Sequence, residues 1–168
     1  MTESDATAPD GPPVFDVLVL AFPDGSTPIA IPVGVVREVA RVDRVSAYPG
    51  APADVSGVTA VRGHIVPVLD FAPSNDAGRA AVVIASGTRA IALSGASPAR
   101  VAAARPVTGR AASDVPAVRL WSGRLLPVSG AVRLLGAARP DAANGPVLPL
   151  LDAAALIGDV VDDSDGGR

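Results

Sequence analysis

Two aspartates stand in matching contexts. Asp70 closes the run Ile65-Val66-Pro67-Val68-Leu69, and Asp152 closes Leu148-Pro149-Leu150-Leu151. Two carboxylates at equivalent places are the smallest set that general acid–base chemistry needs, and His64 is the only histidine in the chain. Each aspartate, however, follows a β-type run and precedes helix-forming residues, where an acceptor side chain caps free backbone N–H groups for about 1 kcal/mol. Capping is the favoured role for both. A hydrolase built on the pair lacks a nucleophile motif, and His64 has no evident base, nucleophile or metal partner, so it reads as a strand residue. Cysteine is absent and histidine occurs once, which excludes disulfides and thiolate sites and argues against a histidine metal site. No catalytic residue, metal or cofactor is expected.

The other residues able to do chemistry are charged groups at turns. Arg62-Gly63 separates two β-type runs, and Glu38 is one of only two glutamates in the chain. Either is read on its own as a solvated surface group, and an ion pair between them at the surface would be worth only about 0–1 kcal/mol. All 14 basic residues are arginine, and residues 14–158 carry 13 of them against 10 acids. They are scattered, and aromatic residues are too few to stack bases, so nucleic acid is not an expected partner.

The elements that must position these residues are short strands. Val14–Phe22 and Thr27–Pro32 flank the turn Pro23-Asp24-Gly25-Ser26, and Val55–Arg62 and His64–Leu69 flank Arg62-Gly63. Ala80–Ala85 and Arg89–Leu93 flank Ser86-Gly87-Thr88, followed by Ala117–Trp121, Leu125–Val128, Ala131–Leu135 and Val147–Leu151. Gly34–Arg41 reads as a short helix, with Val35, Val36 and Val39 on one side and Arg37 and Glu38 on the other. Asp70 is placed to cap a brief helical turn before Pro73-Ser74-Asn75-Asp76, and a loop is expected at Arg139-Pro140-Asp141. Residues 94–116 show weak periodicity and receive no assignment. Ala153–Ile157 is a helix, with Gly158 as its stop. Gly57 inside a strand marks a bulge or a close backbone approach, and Trp121 reads as core.

A turn glycine, two or three aliphatics, a proline and more aliphatics recur at 63–69, 123–128 and 145–151, which points to a duplicated β unit with halves of roughly 14–78 and 79–158. Nearly continuous apolar strands imply that both faces are covered. The expected architecture is therefore mainly β: two small barrels packed together with short helices, a larger single sandwich being the alternative. Residues 1–13 read as a disordered leader and 159–168 as an acidic tail. No apolar run reaches the roughly 20 residues of a membrane-spanning helix, and no signal-peptide layout is present, so a cytoplasmic protein without membrane insertion is expected.

Val36-Arg37-Glu38-Val39, Tyr48-Pro49-Gly50-Ala51-Pro52, Gly57 to Gly63, Ile65 to Asp70 and Leu148 to Asp152 together resemble the CheW-like adaptor domain of bacterial chemotaxis. The block from Gly57 to Asp70 is the specific part. The resemblance implies two five-stranded SH3-like barrels around a shared apolar centre. It also implies a non-enzymatic role coupling chemoreceptor cytoplasmic tips to a CheA-type histidine kinase, at membrane-associated receptor arrays. On this basis Val36, Glu38, Gly57, Arg62 and Gly63 are the candidate partner-binding residues, the glycines admitting another backbone and Val36 adding apolar area. The sequence departs from the family at Ala60, where asparagine is usual, and at Leu93-Ser94-Gly95-Ala96, which replaces a Val-Asp-x-Val segment. Residues 105–144 are longer and less regular than the family's second barrel. A structural or homotypic module with a different partner is the alternative, and a barrel enclosing a small apolar ligand is a further one that filled cores would oppose.

Overall fold

The computed structural model describes residues 12–72, 79–136 and 145–165. The expected breaks at Pro73–Asp76 and Arg139–Asp141, and most of the leader, fall outside the described residues. Ten strands run in order: β1 Phe15–Ala21, β2 Ile29–Pro32, β3 Val36–Val42, β4 Gly57–Val61, β5 His64–Asp70, β6 Arg79–Ser86, β7 Arg89–Ser94, β8 Ser97–Val107, β9 Val128–Leu134 and β10 Val147–Leu151. The helices are α1 Arg110–Ser113, between β8 and β9, and α2 Ala153–Asp165 at the end.

Strands β1-β2-β10-β9-β8 close into a barrel, and β3-β6-β7-β5-β4 form an open five-stranded sheet, a half-barrel. The two have the same wiring. In the half-barrel the antiparallel hairpin β6–β7 pairs with β3 on one side and, in parallel, with β5 on the other, and β5 pairs with β4. In the barrel the hairpin β1–β2 pairs with β8 on one side and, in parallel, with β10 on the other, and β10 pairs with β9. The repeating unit is thus a hairpin followed by three strands, and the two units have exchanged hairpins. The duplication expected from sequence is present, but a cut near residue 78 does not separate the two sheets. The sequence repeat follows chain order, whereas hydrogen bonding joins the hairpin of each half to the three strands of the other.

Side-chain size explains how the sheets meet. In the exchanged hairpins Leu18, Leu20, Ile29, Ile31, Val82, Ile84, Ile91 and Leu93 face a common apolar centre, joined by Leu156, Ile157 and Val160 of α2. The alternate positions are smaller: Val17, Val19 and Ala30 fill the narrow barrel, and Ala81, Val83 and Ala92 line the half-barrel. Both faces of these strands are buried, hence their continuous apolar runs.

Several sequence expectations are corrected. Gly34–Arg41 is not a helix: a single 3-10 turn at Val33–Val35 leads directly into β3, whose inward and outward residues alternate along the strand. Val39 consequently points outward and is half exposed. Asp70 does not cap a helix; it ends β5 and pairs with Arg79, whose Nη2 donates to Oδ2 at 3.2 Å, both side chains being nearly buried. Asp152 does cap α2, accepting from the Ala155 N–H at 3.0 Å. Gly158 does not stop that helix, because Val160 beyond it is buried in the common centre and rewards another turn. Asp159 therefore belongs to α2 rather than to a tail. Residues 94–116 hold the longest strand, β8, and Ala117–Leu126 contributes only an isolated bridge, Arg119 to Leu125, instead of two strands. Trp121 is not core but 65% exposed.

Hairpin exchange makes each half an incomplete folding unit. When the chain is split between residues 75 and 76, each fragment alone should show no cooperative thermal transition, while mixing the two restores one. Two independently melting fragments would contradict the exchange.

Candidate functional site

In the barrel, β8 continues past β1 to pair with β9 and close the ring. Its counterpart β3 pairs with β6 along its whole length. The chain that follows reaches β4 only through Ser46, which exchanges two 2.8 Å backbone hydrogen bonds with Val58, and through Arg44, whose carbonyl accepts from the Thr59 hydroxyl. Beyond that bridge the seam between β3 and β4 stays open.

Arg62 and Gly63 form the two-residue turn between β4 and β5, with φ of +49° and +82°. Two positive φ values define the hairpin turn that suits strand twist and that prefers Asn-Gly. The Arg62 Nε donates to Glu38 Oε2 at 2.8 Å, so the two residues form an ion pair that spans the open seam, from the β4–β5 turn to β3. Left-handed geometry costs a non-glycine residue about 1–2 kcal/mol. The pair returns only about 0–1 kcal/mol, since Arg62 is 79% exposed. Stability alone does not account for arginine at this position.

The turn, β3 and β5 border a depression of about 340 Å³ lined by Arg37, Glu38, Arg62 and His64 over Val61, Val66, Val83 and Ala90. Of the candidate residues, the structure brings Glu38, Arg62 and Gly63 together here. Val36 is half-buried and packs on the common apolar centre. Gly57 lies at the far end of β4, about 13 Å along the strand. A Cβ on Gly57 would collide with the Ser46 carbonyl oxygen, so the backbone it admits is the chain's own. A Cβ on Gly63 would meet open space.

The loop that joins β3 to β4 is anchored by an ion cluster. Arg124 donates to Asp54 at 2.8 Å and to Asp159 of α2 at 2.7 Å, and the Ser122 hydroxyl donates to Asp54 at 2.6 Å. Burial pushes the Asp54 carboxyl up, but the Ser122 and Arg124 hydrogen bonds and the Arg124 charge outweigh it and hold it below the usual carboxylate range. The Asp54 hydrogen bond, against burial and together with the charges of both aspartates, raises the Arg124 guanidinium further.

Sequence reasoning missed the exposure of Tyr48, Ile65 and Trp121, at 57%, 75% and 65%. Trp121 lines a second cleft of about 610 Å³ with Phe22, Phe71 and Val118. Among the described residues no group of acids and histidines is arranged to hold a metal, and no helix is long and apolar enough to cross a membrane.

A closed five-stranded barrel packed on a five-stranded half-barrel matches the fold of two SH3-like subdomains. The family model for the CheW-like domain matches residues 18–161, and the chain belongs to that family. Among solved structures, the crystal structure of scaffolding protein TtCheW from Thermoanaerobacter tengcongensis is similar, with TM-score 0.55 and 14% identity over 87% of this chain and 89% of that one. No curated protein matches the sequence significantly.

Because the folded-state pKa of Asp54 is depressed, its contribution to stability is fully present above the unfolded aspartate value of about 3.9 and disappears as pH falls through the folded value. Asp54→Asn should therefore lower the Tm at pH 7, and the difference from wild type should begin to shrink below pH ~4 and close once the pH lies below the depressed folded value. A gap that stays constant from neutral to acid pH would contradict the assignment.

Proposed function

We propose that this chain is a non-enzymatic chemotaxis adaptor that couples chemoreceptor cytoplasmic tips to a CheA-type histidine kinase, with the open seam of the half-barrel as its docking face. The observation that carries the reading is the Arg62–Glu38 pair across that seam, in a chain of the CheW-like family. Its geometry suits recognition. A strained turn holds an exposed guanidinium at the tip of two strands, beside edges with uncovered backbone that another chain can meet.

The rival readings have less support. Asp70 and Asp152, the only carboxylate pair considered for catalysis, are committed to Arg79 and to the α2 N-terminus. The interiors of the barrel and half-barrel are filled by apolar side chains, which opposes a ligand enclosed in a barrel. A CheW-like module with a different partner is favoured by one observation, the exposed Trp121 on its own cleft.

Arg62→Glu should weaken binding to a receptor-tip fragment or to the kinase by about 30-fold, the ~2 kcal/mol or more that a desolvated interfacial charge commands, with little change in Tm. Adding Glu38→Arg restores the internal pair in reversed sense. Binding that stays lost in this double variant assigns Arg62 to the partner. Unchanged affinity for both probes in the single variant would overturn the proposed face.

A further inference from the structure

The pairing of β3 with β6 shifts register between Val36 and Glu38, so that Arg37 is an extra residue with no partner on β6. On a regular strand Arg37 and Glu38 would point to opposite faces. A bulge re-aims the side chain it carries, and here Arg37 and Glu38 line the same depression at the half-barrel mouth. The rim therefore gathers two guanidinium groups and the His64 imidazole against a single carboxylate. That carboxylate is already engaged with the Nε of Arg62, and the terminal Nη edge of Arg62 has no hydrogen bond or ion pair with a described residue. Arg37 is exposed and likewise makes no ion pair among the described residues. The floor, Val61, Val66 and Val83, is apolar and buried.

We infer that this mouth receives the carboxylate of an acidic side chain on a partner protein, with Arg37 and the Nη edge of Arg62 as its two donors. Planar guanidinium forks match a carboxylate in bidentate geometry. The apolar floor fits the methylenes of a glutamate, for which a free phosphate has no equivalent. The bulge and the left-handed Arg62 are separate departures from regular β structure, and the arginines they carry line one depression. The inference rests on the docking face proposed above and adds its chemistry: an acidic residue on the partner, and Arg37 as a recognition residue.

Two measurements test it. The first follows the arginine Nε–Hε resonances while adding either of two alanine-based peptides that differ only in glutamate against glutamine. The glutamate peptide should shift Arg37 and Arg62 saturably, with the glutamine peptide and inorganic phosphate at equal ionic strength leaving both unmoved. No shift at Arg37, or equal shifts with all three, would overturn the inference. The second compares capture of the receptor-tip fragment and the kinase. Arg37→Glu should weaken one of them at least 10-fold and Arg37→Lys should fall between that variant and wild type, with Tm unchanged. If Arg62→Glu abolishes capture while Arg37→Glu does not, the docking face stands and the acidic-residue inference falls; if neither matters, both fall.

Discussion

The apolar centre between the two hairpins is the interaction on which the rest of the molecule depends. Eight Leu, Ile and Val side chains from β1, β2, β6 and β7 meet there. Fully burying each such side chain contributes about 1.5–3 kcal/mol. Inside the two sheets the hairpins contribute only valine and alanine to the buried clusters, and Leu134 and Leu148 are the larger buried residues of the barrel. The exchange of hairpins places the strands with the largest residues back to back. Helix α2 covers the same centre through Leu156, Ile157 and Val160, and this burial carries it past Gly158.

Pseudo-symmetry in wiring does not extend to closure. The longer β8 reaches β9 and seals the barrel, whereas β3 is followed by a loop that hydrogen-bonds to β4 through Ser46 and Arg44. The loop is fixed by the Asp54–Arg124–Asp159 cluster, so the edges flanking the seam are held in place rather than left to drift. An open seam is a liability in a β protein unless it is guarded by charge or twisted by a bulge. Both devices are present, in the Arg62–Glu38 pair and the Arg37 bulge.

Much of this was legible in the sequence. Glycine and proline spacing marked β4, β5 and β10, the β-branched runs marked the two hairpins, and Asp152 stood where a helix cap belongs. The resemblance carried by Gly57 to Asp70 led to the family, and an Arg62–Glu38 pair was one of the readings considered. What failed did so for identifiable reasons. Val35, Val36 and Val39 fit a helical face because the period-two pattern of β3 is hidden in its residue types: Glu38 sits on the inward side and Val39 on the outward one. Asp70 and Asp152 share a local context, but only Asp152 has a helix to cap, and Asp70 found Arg79 instead. Hairpin exchange is a long-range choice that no local pattern encodes. Residues 94–107 are poor in large side chains because most of that strand lies on the outside of the barrel.

The half-barrel seam is the face proposed to meet a partner. Amide hydrogen exchange of the chain, free and bound to a chemoreceptor tip fragment or to a CheA-type kinase, reads this directly. It should show slowed exchange confined to residues 37–40 and 60–65 on the two sides of the seam. Protection restricted to β8 and β9 of the closed barrel, with the seam unchanged by both partners, would contradict it.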